Sequence, residues 1–383
     1  MLARMSRTLA EVVLLLERLA PLNLAEDWDN VGLLVEPSRA AERPISRLFL
    51  CIDLTENVLG EAISERADLV IAYHPPLFKG LKRLRASAPD ERVLVSALEA
   101  QLPIYSPHTA LDAAPNGVND WLARGLGPGK GRAIAPFSAK SGGFKLVVFV
   151  PRSHVDALRQ ALSRELGAGE IGNYSECSYE LDGQGSFLGS AAAQPAIGAR
   201  GRLEFVAEVR LEMRCEQAAL KDLARVIGAH HPYEEPAWDV YPLAALPEPE
   251  LGAGRVLELD TPISLDEAVS RLKTQLGVSE LRVAASARHD AGAPIACVAV
   301  CAGAGGSLFE RVSGVDLFVT GEMRHHDVLA KLRMNASVIV SEHTHTERGF
   351  LPEFARALVG LGLGEDELEV IVSRRDSEPL RPR

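Results

Sequence analysis

LFLCIDL at residues 48–54 and DLVIAYH at residues 68–74 are the two stretches whose reading decides the fold. Each is an apolar, β-branched run of strand length. Between them, roughly from Asn57 to Arg66, the pattern is that of a helix. Strand, helix and strand in so short a span predict a βαβ unit and a largely parallel sheet. The second run ends on His74, ahead of PPLFKG. Open α/β sheets place their sites just beyond the carboxyl ends of strands, and His74 falls there.

Two other segments repeat this arrangement. A short strand at 103–106 leads into SPHTALDAAPNGVND, with His108 and Asp112, and ASVIVSEH leads into SEHTHTERGF, with His343 and Glu347. Imidazole mixed with carboxylate suits zinc, manganese, iron or nickel, whereas calcium takes oxygen alone. For one pair the bland alternative is a helix cap or a surface histidine. Three segments of one design point to metal. His74, His108, Asp112, His343 and Glu347 are too many for one open tetrahedral site and too few for two separate shells. Two ions bridged by Glu347, Asp112 or water fit that count, and such pairs stand about 3.5–4 Å apart. Glu347 is expected in the first turn of a helix from Thr346 to Val359, where the helix dipole favours a carboxylate.

VTGEMRHHD supplies Glu322 and His326, candidates for general acid–base work or for orienting the ligands. The alternative is a polar helix start facing solvent, and His345 can point either way. Lys79, Lys82 and Arg83 belong to the densest basic cluster of an acidic chain. With Arg324 they are candidates for substrate phosphates, against the alternative of a solvated face. The glycines before Ser307 make a weak anion cradle, lacking the Gly-Lys-Ser/Thr of a nucleotide loop. His230, His231, Glu234 and Glu235 read as a structural turn.

The chain of 383 residues divides into three: 1–135 and 252–383, both alternating strand and helix, and a different unit at 143–245. GLGPGKGRAIAP and LPEPELGAGR read as linkers on either side of the middle unit. That unit has two β-α-β arms around a hairpin, a ferredoxin-like arrangement, with Ser153 capping a helix to about Leu166. Asn116 is expected to cap the helix GVNDWLARGL, and Ser264 with Glu267 to form a capping box before a helix to Leu276. Because the candidate ligands come from the first and last parts, those parts should fold together with the middle one inserted. The fold class is α/β, a discontinuous domain with a mostly parallel sheet and an α+β insert.

The net charge of −11 repels phosphate backbones, so nucleic acid is not the expected partner; a small-molecule substrate is. No apolar run reaches a membrane span of roughly 18 residues. Leu9, Val12, Val13, Leu16 and Leu19 share one face of an amphipathic helix, not a signal peptide. Five cysteines without a C-x-x-C pair point to a reducing compartment, the cytoplasm, with Cys297 and Cys301 as core.

EDWDNVGLLVEPS, YHPPLFKGLKRL, HTALDAAPNGVND, TGEMRHHD and EHTHTERGFL, in that order, resemble the NIF-three-like dinuclear-metal family, also called GTP cyclohydrolase 1 type 2 homologues. GEIGNYSECSY and HPYEEPAWDVYPL resemble the CutA-like or PII-like insert of many bacterial members. The resemblance implies a homohexameric ring with two metal ions per subunit, held by His74, Asp112, His343 and Glu347 with His108 beside them. It implies hydrolytic opening of the guanine imidazole ring of GTP, or else a metal-handling or interaction role. Many bacterial members carry His-His where this chain has Tyr73-His74. A phenol, with a pKa near 10, is a poor zinc ligand. The second site is therefore one histidine short, to be weakly occupied or completed by water or His108.

Overall fold

The computed structural model describes residues 7–138, 142–361 and 368–380. They fall into two compact units, Met1–Phe137 with Glu248–Arg383 and, separately, Ser138–Pro247.

The first unit holds two mixed sheets with parallel centres. One runs Gly32–Val35, Ile104–Ser106, Leu69–Ala72, Arg47–Cys51, Glu369–Val372, antiparallel only at its first pair. The other runs Arg282–Ala284, Ser337–Val340, Leu317–Glu322, Ile295–Ala304, Pro247–Ile263, Gly129–Ser138, with its three central neighbours parallel. The sheets share one apolar core. Leu48, Leu50 and Ile71 of the first join Val298, Val300 and Val319 of the second through Leu111, Trp121, Leu272 and Phe350. That burial is what draws the two ends of the sequence into one body. Helix Leu9–Leu19 packs its Leu9, Val12, Leu15 and Leu16 face into the same core, entered through a capping box of Thr8 and Glu11.

Both expected linkers are strands. Cβ atoms built at Gly129 and Gly252 would meet Glu258 O at 2.2 Å and Ala135 O at 2.0 Å. The glycines thus mark close antiparallel contact between two backbones, not a flexible tether. Asn116 is not the cap of Val118–Arg124: Gly117 occupies that position, while Asn116 sits at φ +58° and donates its N–H to Asp120. Ser264 does cap Leu265–Leu276, accepting from Glu267 N. The helix expected from Thr346 to Val359 is two, His345–Arg348 and Leu351–Gly360, and Pro352 starts the second because its missing N–H costs nothing there.

The second unit orders its strands Ser178–Leu188, Leu203–Cys215, Phe144–Val150, Trp238–Pro242, all antiparallel. Helices Val155–Leu166 and Leu223–His230 pack on one face, a ferredoxin-like order with its own core. Ser153 does not cap the first helix; it lies in a preceding 3-10 turn, its hydroxyl against His154. His231 Nε2 is bonded to Phe149 O. Among the described residues no helix is long and apolar enough to cross a membrane.

Candidate metal centre

His74 leaves the strand Leu69–Ala72, and His343 and Glu347 follow Ser337–Val340. His74 Nε2 lies 3.5 Å from Glu347 Oε2, and His343 Nε2 lies 3.3 Å from Glu347 Oε1. One donor atom from each of the three lies within 4.8 Å of the others. A tetrahedral ion with bonds of about 2.0–2.1 Å sets its ligand atoms about 3.3–3.4 Å apart, close to these separations. Glu347 is 3% exposed, and its Oε2 has no hydrogen-bond donor. A buried carboxylate oxygen without a donor needs a cation or a proton beside it. The donor set fits a divalent ion.

His74, His343 and His108 each have one ring nitrogen on a carboxylate, whereas the buried Nδ1 of His345 has no partner among the described residues. His74 Nδ1 is 2.9 Å from Asp53, His343 Nδ1 3.1 Å from Glu322, and His108 Nδ1 2.8 Å from Asp29. A proton held on Nδ1 by an acceptor leaves the Nε2 lone pair free for a metal. Asp29 also accepts from Thr109 N, and Arg348 reaches Asp53 at 3.8 Å while pairing with Asp376. Burial alone would raise the Asp29 and Asp53 carboxyls, but the bonds to His108, Thr109 and His74 outweigh it and hold both low. For His74, burial opposes charge, and the bond to Asp53 with the nearby Glu347 carboxylate overcomes it, raising the pKa to about 10. Without a cation, His74 carries the proton that Glu347 needs.

His108 and Asp112 lie on the short helix His108–Ala113, not in a loop. His108 starts it at φ +28°, a conformation that L-residues seldom adopt and that structures hold mostly at working sites. Its ring is 5.4 Å from that of His74 and 5.6 Å from that of Tyr73. Asp112 accepts a hydrogen bond from the Tyr73 hydroxyl. Burial pushes the Tyr73 phenol well up, with the charges of Asp112 and Glu347 adding to it. Burial also raises Asp112 to about 6, against the opposing effects of His108 and the Tyr73 bond.

Gly303, at φ +62°, lets the strand Ile295–Ala304 pass the cluster. A Cβ there would stand 2.9 Å from both Glu347 Oε1 and His343 Nε2. Thr346 accepts from Gly303 N at 2.8 Å and donates to His343 O at 2.7 Å, fixing the turn that carries His343 and Glu347.

Glu322 bonds His343 and also lines a cavity of about 470 Å³ with Arg282, Ser307, Arg324 and Asp327. His326 is exposed on the next helix, its ring 5.6 Å from that of His325. Lys79, Lys82 and Arg83 are exposed and make no hydrogen bond or ion pair among the described residues. Trp28 and Phe78, 60% and 43% exposed, stand beside His108 with ring centroids 6.1 and 6.5 Å from it. Sequence reading missed Asp29, Asp53 and the aromatic pair. A lone aspartate in a loop has no spacing signal, and its partner histidine stands 21 residues away for Asp53 and 79 for Asp29.

The chain is similar along most or all of its length to several known proteins. The rat NIF3-like protein 1 is 36% identical over 98% of this chain and 94% of its own length. A GTP cyclohydrolase 1 type 2 homolog from Halalkalibacterium halodurans is 38% identical over 82% of each chain. The crystal structure of a Bacillus cereus protein related to NIF3 superposes with a TM-score of 0.73 at 28% identity, covering 98% of this chain and 99% of that one. Residues 7–379 match the model of one family, so a metal-ready cluster and a fold shared along the whole length lead to one assignment: the chain belongs to the Duf34/NIF3 (NGG1p interacting factor 3) family.

Proposed function

We propose that His74, His343 and Glu347 hold a divalent ion and that the chain is a metal-dependent hydrolase of a small, planar, anionic substrate, a nucleotide heterocycle. The observation that carries the reading is the repeated pairing of an imidazole Nδ1 with a carboxylate around a buried, donorless Glu347 oxygen. A divalent ion there would supply Lewis acidity toward water or a substrate oxygen. Asp53 and Glu322 keep the Nε2 atoms free, and Glu322, facing the cavity, is the group placed to exchange a proton with a substrate. Arg282 and Arg324 line the same cavity and suit an anionic group. Trp28 and Phe78 offer faces on which a heterocycle stacks. Lys79, Lys82 and Arg83, on the loop beyond Phe78, are further phosphate candidates, and His326 is a second candidate for proton transfer.

The name GTP cyclohydrolase 1 type 2 homolog, carried by bacterial relatives, supports the substrate class. A homo-oligomeric ring, as the family resemblance implies, and a place in the cytoplasm, as the unpaired cysteines suggest, belong to the same proposal. The test is hydrolysis of GTP and a panel of nucleotides by metal-loaded protein. Turnover should vanish on chelation and fall at least about 100-fold in Glu347→Ala. Metal-loaded protein that leaves every substrate intact overturns the hydrolase.

Metal carriage without catalysis is the second reading. It is favoured by the bond between Tyr73 and Asp112, which occupies two groups that would otherwise serve as bases. Fast transfer of the ion to an apo-acceptor would speak for it.

A further inference from the structure

Building on the reading that His74, His343 and Glu347 hold a divalent ion, we propose that each chain holds one ion, and that Tyr73 and Asp112 close the second position. The sequence supplies five imidazole and carboxylate donors, enough for a bridged pair of ions. The fold does not divide them into two sets. Among the described residues only His74, His343 and Glu347 gather, and both Glu347 oxygens are turned to that group, Oε1 toward His343 and Oε2 toward His74.

Asp112 has other partners. The Tyr73 hydroxyl donates to its Oδ1, and its main-chain carbonyl accepts from the Asn119 amide at 3.1 Å. Asn119 in turn accepts from Ala302 N at 2.9 Å, which locks this turn onto the strand Ile295–Ala304. Tyr73 is 3% exposed and lies edge-on to His108, so packing holds the hydroxyl at its acceptor. A phenol that donates a hydrogen bond to a carboxylate keeps its proton and presents no anionic oxygen to a metal, and the carboxylate oxygen that accepts the bond is already engaged. His108 Nε2 and the other Asp112 oxygen remain. Two donors fall short of the three or four protein ligands of a zinc-type site. Tyr73 with Asp112 therefore forms a hydrogen-bonded wall beside a single ion.

The test counts metal. Full-length protein is stripped with a chelator, reloaded with zinc or manganese, desalted and analysed for ions per chain, with circular dichroism to verify folding. One ion is expected in the wild type and in Asp112→Asn, and two in Tyr73→His, which supplies the missing imidazole. Two ions in the wild type, or an ion lost from Asp112→Asn, overturn the proposal. One ion in a folded Tyr73→His overturns the part given to Tyr73. If that variant misfolds, the wild type and Asp112→Asn decide the matter. A wild type that binds none overturns the metal reading as well, whereas an inactive protein that binds one leaves the count standing and removes only the hydrolase.

Discussion

Asp112 is a carboxylate in the wrong medium. Burial favours its neutral form and lifts it from 3.8 to about 6, while the Tyr73 donor recovers part of the cost. The raised value fixes the sign of a pH effect in metal-free protein. Between pH 4 and 6 the native state binds the proton more readily than the unfolded chain. Stability therefore falls as pH rises through that window, and above about pH 6 the penalty is complete. Asp112→Asn keeps the acceptor for Tyr73 and removes the charge. The stripped variant should be more stable than the stripped wild type by about 1–2 kcal/mol at pH 7.5, allowing for partial solvent contact. In urea titrations the gap should close as the pH approaches 4.5; a gap constant with pH would refute this account. At this scale His74, His343 and Glu347 were legible as imidazoles and a carboxylate at strand ends. The aspartates behind them were not. Asp29 gains meaning only when its loop meets His108, and no local pattern encodes that meeting.

The elements that deliver the ligands are short and are held by polar ties more than by length. Helix His108–Ala113 is six residues, too short to persist alone. Its end is clamped by Arg255, which is 2% exposed. That guanidinium donates to Ala113 O and Ala114 O, to Gly252 O and Gly254 O, and pairs with Asp120. Only a planar fork reaches acceptors on so many sides. Arg255→Met would remove the buried cation beside Asp120 and its bonds to four carbonyls, although Asp120 keeps the N–H of Asn116 and Ala114 O that of Gly117, at a cost of about 3–5 kcal/mol. Arg255→Lys should recover less than half, read as the shift in urea midpoint at constant slope. Full recovery by lysine would mean that charge alone matters. Strand and helix alternation was plain in the sequence because period and length are local. The edge strand Gly129–Ser138 and its neighbour Pro247–Ile263 were misread because glycine and proline mark loops by composition. Here the glycines serve the contact between the two strands, which depends on a partner more than a hundred residues away.

Every candidate donor belongs to the unit of Met1–Phe137 and Glu248–Arg383, whose core is built on residues such as Leu50, Ile71, Val298 and Val319. The inserted unit has a core of its own, built on Leu146, Val148, Leu158, Leu162, Val209 and Ile227. Its entry and exit also run side by side: Gly142 N donates to Leu243 O at 3.1 Å, and Leu243 N to Gly143 O at 3.0 Å. Two antiparallel backbones at that spacing can be joined by a two-residue turn. A chain in which Asn-Gly replaces residues 143–243 should therefore fold, melt in one cooperative transition and bind as many ions per chain as the full-length protein. Metal analysis with a thermal melt checks this directly. If the shortened chain folds but loses its ion, the insert contributes to the centre and the independence of the two cores is not the whole account. If it keeps the ion and only its mass in solution changes, the insert's part lies in assembly, and the chemistry belongs to the two outer segments alone.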